Sequence, residues 1–317
     1  MSSLSSARLR TRLAAAAVGL AALGTVALAP PIALGATGAH VASPRGTDAL
    51  PTVSGGYGTR PTLHFPKAGA PKSLVVKVLH AGSGPTVRKG ELLVCNYYGQ
   101  IWGGKVFDTS FGRGLFGTPI GMGRVIPGWD LGLVGKHVGS RVLLSIPPKD
   151  GYGKSGNPSG GITGTDTLEF VIDIVAVYSK AAHGDPHATV LHREVNGVKI
   201  GGKLGGQPTV TVAKGAPQPK SVSLTLLARG HGPKITPGLV VDQYVVGTWS
   251  GKAPPSTWAD GVPDSQLVGS TTQPDLLDKT IGMHLGSRVL LEIPKSSAGG
   301  PYALVVDLVA EPHAPKG

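Results

Sequence analysis

The chain has 317 residues and a formal net charge of +12, with 49 Gly, 27 Pro and only 5% aromatic residues. That length suits two ordinary domains, and the Gly and Pro content argues for many turns around modest cores and against long helices. The basic residues are scattered, with no basic run interleaved with aromatics, so nucleic-acid binding is not expected. Cys95 is the only cysteine, which excludes an intramolecular disulfide.

Arg8, Arg10 and Arg12 precede an uncharged stretch, residues 13–29, rich in Ala, Leu and Val. Small residues follow around Ala36 to Ala39, where a signal peptidase would cut. Residues 1–39 therefore read as a signal peptide, and the mature protein is expected to be secreted or associated with the cell envelope. An uncleaved leader would instead anchor it in a membrane, because its seventeen apolar residues nearly reach spanning length. No cysteine lies near the leader, which excludes lipid attachment there.

Residues 40–56 read as a linker and residues 57–178 as a first domain. Residues 74–79 form a strand pattern closed by Gly82-Ser83-Gly84-Pro85, and residues 91–98 form another. Cys95 lies in that second strand and reads as a small buried hydrophobe. Pro127 opens the one convincing helix, and Gly135 ends it. Residues 141–146 and 168–177 alternate as half-buried antiparallel strands do. Strands around one short helix make an α+β domain.

A repeat organises the rest of the chain. Gly139-Ser140-Arg141-Val142-Leu143-Leu144-Ser145-Ile146-Pro147 returns 147 residues later as Gly286-Ser287-Arg288-Val289-Leu290-Leu291-Glu292-Ile293-Pro294, with one change. The same offset relates Tyr97 to Tyr244 and Pro61-Thr62 to Pro208-Thr209. A fixed offset between separated landmarks signals duplication of a whole domain. Residues 179–204 then read as a linker, 205–312 as a second domain and 313–317 as a tail.

Four clusters carry the functional signal: Asn96-Tyr97-Tyr98-Gly99, Phe107-Asp108-Thr109-Ser110, Arg124-Val125-Ile126-Pro127-Gly128-Trp129 and Asp150-Gly151-Tyr152-Gly153. Singly each has an ordinary structural explanation, since core packing claims most apolar positions. In this order and spacing, residues 74–178 resemble the FKBP-type peptidyl-prolyl isomerases. The resemblance implies a curved antiparallel sheet around one short helix, repeated in tandem. It implies a pocket built from Tyr97, Phe107, Asp108, Val125, Ile126, Trp129, Tyr152 and Phe170. Arg113 and Phe116 fall in the bordering loop. Ile162 takes the place of the apolar residue over the pocket mouth, and Asn157 stands where family members often carry His.

Such a pocket rotates an X-Pro amide without a nucleophile. Twisting removes amide resonance and makes the carbonyl less polar, which a dry aromatic site favours over the planar, hydrated form. By resemblance, Trp129 forms the floor and Tyr97, Phe107 and Phe170 the walls. The Tyr152 hydroxyl and the Ile126 N–H donate to substrate carbonyls. Asp108 orients the pocket and is not assigned general-base work. The implied partners are proline-containing polypeptides and macrolides of the FK506 and rapamycin type, bound by a monomer. The same frame would also serve as a non-catalytic peptide-binding or chaperone module of the envelope.

The second domain keeps Tyr244 but departs elsewhere. Residues 253–258 stand where the Phe-Asp pair would be, Leu276 replaces the Trp and Leu304 the Phe, and the loop carrying Tyr152 has no counterpart. A folded but inactive repeat is expected. His183-Gly184-Asp185-Pro186-His187 has chelating spacing but no further ligand cluster, and reads as a solvated segment. No cofactor or metal is expected.

Overall fold

A computed structural model describes residues 49–249, 253–271, 275–296 and 299–315. The signal-peptide expectation for residues 1–39 lies outside them. Among the described residues, no helix is long and apolar enough to cross a membrane. The chain divides after Tyr178 into two compact units.

The first unit begins with a hairpin of β1 (Thr52–Ser54) and β2 (Thr62–His64). Then come β3 (Val75–His80), β4 (Leu92–Ile101), β5 (Val106–Thr109) and β6 (Phe116–Pro119). The helix Pro127–Leu133, β7 (Arg141–Ile146), three 3-10 turns between Pro148 and Gly160, and β8 (Leu168–Tyr178) complete it. The sheet is antiparallel in the order β3-β7-β8-β4-β5, and β6 pairs with the first half of β4. This is an α+β arrangement of the kind expected.

The helix starts where Pro127 supplies a fixed φ and loses no needed N–H. It ends at Leu133, and Gly135 at φ +84 turns the chain back in a conformation side chains disfavour. Two glycines let it lie flat on the sheet. A Cβ on Gly128 would stand 2.6 Å from Ile146 Cγ2, and one on Gly132 would stand 2.7 Å from Leu144 Cδ2. Trp129 and Leu133 thereby reach the core of Leu93, Tyr97, Leu144, Phe170 and Ile172.

Two expectations need correction. Residues 40–56 are not simply a linker, because β1 lies within them. Nor is β7 half-buried: all six of its residues are buried. The cause is the same in both cases. Leu50, Val53, Leu63 and Phe65 pack on the outer face of the sheet against Tyr98, Leu143 and Val171. Here Arg141 is 2% exposed. It donates to Asp173 from Nε at 2.6 Å and Nη2 at 2.7 Å, to the Gly55 carbonyl from Nη1 at 2.5 Å and to the Thr59 carbonyl from Nη2 at 2.6 Å.

The second unit holds β9 (Thr189–Val190), β10 (Glu194–Val195), β11 (Val198–Gly201), β12 (Thr209–Val212), β13 (Ser223–Arg229), β14 (Gly238–Thr248), β15 (Asp264–Val268), β16 (Arg288–Ile293) and β17 (Tyr302–Ala310). Its main sheet runs β15-β14-β17-β16-β13-β9 and is antiparallel throughout. A second sheet, β10-β11-β12, supplies Val198, Ile200 and Val210 to a core with Leu227, Val245, Leu290 and Val305. Residues 179–204 are therefore not a linker. They contain β9, β10 and β11, and Asp185 is tied by its N–H to the Gly286 carbonyl at 2.9 Å and by Oδ2 to His231 Nδ1 at 2.7 Å. At the other end, residues 312–315 group with the first unit instead of closing the second.

Candidate active site

The site lies where the helix crosses the inner face of the first sheet. β4 contributes Tyr97, β8 contributes Phe170, β5 contributes Phe107 and Asp108, and β6 opens with Phe116. Strand alternation aims Tyr97 and Phe170 inward, while the helix delivers Trp129 between them. The rings meet edge to face. Trp129 and Phe170 centroids are 5.2 Å apart at 89°, Tyr97 and Trp129 5.6 Å at 72°, Phe107 and Phe170 5.4 Å at 83°, and Phe116 and Trp129 6.1 Å at 86°. Each such pair adds roughly 0.5–1.5 kcal/mol beyond its burial, so the wall is stiff.

Phe116, Val125, Ile126, Trp129 and Phe170 enclose an apolar hollow of about 10 Å³. That is about one water in size, so a prolyl ring must part the side chains at its mouth. Trp129 Nε1 is buried and finds no acceptor among the described residues. Ile126 is the N-cap of the helix, where no carbonyl a turn back accepts its N–H.

Polar order surrounds one wall. Tyr97 Oη donates to Asp108 Oδ2 at 2.5 Å. Arg113 Nη2 pairs with Asp108 Oδ1, and the Thr109 N–H reaches the same oxygen at 2.8 Å. The carboxylate is thus occupied by three donors and fixes the Tyr97 ring. Burial, and then the bond to Asp108, push the Tyr97 hydroxyl far above its ordinary value, so it stays a donor. Burial raises Tyr152 to about 12, against an opposing contribution from Asn157.

Eight of the expected residues converge directly on this one region: Tyr97, Phe107, Asp108, Phe116, Val125, Ile126, Trp129 and Phe170. Arg113 joins through Asp108, and its side chain is 54% exposed. Tyr152 is half-buried against the same core. Ile162 differs from expectation. It is 3% exposed and does not line the hollow, because its backbone closes a tight pair with Asn157 that turns the side chain into the core. Phe116, expected in a loop, is instead the first residue of a strand paired to Cys95.

Three supporting residues had no assigned role. Ser110 Oγ accepts from the Tyr97 N–H at 2.9 Å and donates to buried Asn96 Oδ1 at 2.9 Å, which pins the turn after Asp108. Gly99 leaves room for the wall, since a Cβ there would lie 2.7 Å from Phe107 Cζ and 2.8 Å from Phe170 Cε1. Their place inside the recurring clusters was the available signal. Their function needed cross-strand geometry.

Comparison with known proteins agrees with this architecture. Residues 84–175 match the family model described as FKBP-type peptidyl-prolyl cis-trans isomerase. The "FK506-binding protein" of Streptomyces anulatus is 39% identical over 123 residues, which are 37% of this chain and 97% of that protein. "FK506-binding protein 1" of Debaryomyces hansenii is 43% identical over 110 residues, 34% of this chain and 97% of that protein. The chain belongs to the FKBP-type peptidyl-prolyl isomerase family. It is a peptidyl-prolyl cis-trans isomerase, and its first unit carries the family domain.

Proposed function

We propose that this isomerase acts on exported polypeptides outside the cytoplasmic membrane, with the hollow over Trp129 as its catalytic pocket. The observation that carries the reading is the edge-to-face cage of Trp129, Phe170, Tyr97 and Phe116 around an apolar hollow beside the Ile126 N–H. The prolyl ring enters over the indole. The apolar cage favours the twisted amide, whose carbonyl has lost resonance and polarity. Ile126 N–H and Tyr152 Oη hold substrate carbonyls on either side of the rotating bond. Asp108 and Arg113 position the wall and take no proton. The basic leader pattern supports export, and FK506-type macrolides are expected to compete for the cage.

The second unit is a degenerate copy without isomerase activity. Its strand order and its Arg288–Asp307 pairing parallel the first unit, while Leu276 and Leu304 stand in place of aromatic rings. The test is the cis-to-trans rate of an X-Pro peptide with the purified chain, with and without rapamycin. Acceleration abolished by rapamycin is expected, as is its loss in Trp129→Ala. A rate unchanged in that variant would remove the cage from the mechanism. Secretion of a tagged chain from its source cells tests the export claim separately.

A further inference from the structure

A second concavity lies away from the aromatic cage, on the second unit. It encloses about 430 Å³ between the β10–β12 sheet and the edge of β13. That volume is in the range of small-molecule sites. Val190, Ile200, Leu204 and Leu227 supply apolar wall, whereas His192, Arg193, Lys203 and Arg288 supply cationic or imidazole groups. None of the twelve lining residues is acidic.

Arg288 is the informative residue. It is 3% exposed and pairs with Asp307 through Nε at 2.6 Å and Nη2 at 2.8 Å. Nη2 also donates to the Gly206 carbonyl at 2.9 Å. In the first unit the corresponding Arg141 has two backbone acceptors, and the Gly55 carbonyl takes its Nη1. No such carbonyl serves Arg288, and its Nη1 has no acceptor among the described residues. Arg288 lines the cavity and its Nη1 keeps access to it, so this N–H is free to donate to a ligand oxygen. Arg193 and Lys203 lie at the same cavity and make no ion pair among the described residues.

We infer that this cavity binds a small amphiphilic carboxylate, its anionic head on Arg288 Nη1, Arg193 and Lys203 and its apolar tail on Ile200, Leu204 and Leu227. Arg193 and Lys203, with no ion-pair partner among the described residues, select the charge, and the Arg288 guanidinium, whose own charge is matched by Asp307, offers Nη1 as a planar donor to an oxyanion. Aliphatic wall selects the tail. The inference is independent of the isomerase pocket, because none of these residues belongs to it.

Titration calorimetry of the full chain with octanoate tests it, with octanol and inorganic phosphate as comparison ligands. Octanoate is expected to bind, and both others to bind at least about tenfold more weakly, since each lacks one half of the recognition. Exposed Arg193→Glu with Lys203→Glu is expected to abolish octanoate binding while leaving the isomerase rate unchanged. High salt is expected to weaken binding. Equal affinity for octanol, equal affinity for phosphate, no heat at millimolar octanoate, or full affinity in the double variant would each overturn the proposal.

Discussion

Asp108 shows how a charged residue can matter without exchanging a proton. Tyr97 Oη, Arg113 Nη2 and the Thr109 N–H all converge on its two oxygens. Asp108→Leu removes every acceptor at once and frees the Tyr97 ring. Charge-assisted hydrogen bonds of this kind are worth about 1.5–3 kcal/mol, so kcat/KM is expected to fall about tenfold or more. A general base would make the rate follow its titration; a positioning role leaves the residual activity of the variant with the same pH profile as the parent. Glu169 offers a second residue-scale prediction. It is fully buried opposite Ser145, and burial lifts its carboxyl from 4.5 to about 8. The folded state thus keeps a proton that the unfolded state releases, and stability falls as pH rises from about 4.5 to about 8. Glu169→Gln cannot titrate, so melting temperatures measured across that window should decline less steeply than in the parent. Parallel slopes would show that Glu169 is already ionised in the folded protein. The second unit buries a carboxylate on the neighbouring strand, Glu292, but gives it Asn196 Nδ2 at 2.9 Å and Ser223 Oγ at 3.1 Å.

At the scale of elements, the helix is held against the sheet by what its sequence omits. Gly128 and Gly132 face Ile146 and Leu144 with no space for a Cβ. Asp130 adds a tether, accepting from the Gly121 N–H at 2.6 Å and the Gly123 N–H at 2.8 Å. Gly128→Val is expected to lift the helix, costing about 1–3 kcal/mol by overpacking and displacing Trp129 from the cage. Chemical denaturation and the isomerase rate should fall together; loss of stability with an unchanged rate would show that the floor tolerates the shift. Much at this scale was legible. Pro127 and Gly135 bracket the helix, and the bounds expected for β7 and β8 agree closely with those observed, because turns and period-2 patterns are local. β6 was missed, since Phe116-Gly117-Thr118-Pro119 has too little strand propensity to announce itself; pairing with Leu92 to Cys95 makes it a strand.

For the whole molecule, each unit has a sheet covered on both faces, and part of the outer cover comes from segments that read as linkers. In the first unit the cover is residues 49–65, which also supply Gly55 and Thr59 carbonyls to buried Arg141. A fragment starting at residue 66 should therefore melt well below one starting at residue 49, because unpaired buried donors cost about 1–3 kcal/mol each and the apolar face is exposed as well. Equal melting temperatures would show the hairpin to be decoration. By itself the sequence determined the α+β class, the return of the Gly139–Pro147 motif 147 residues later and the identity of the cage residues. Those features are recorded as local motifs at fixed spacing. Tertiary structure alone decided that both outer faces are buried, that Ile162 turns into the core and that Arg288 lacks the carbonyl Arg141 has. Each of these depends on segments far apart in the chain meeting across a sheet, and no local pattern of residues encodes which carbonyl will reach which guanidinium.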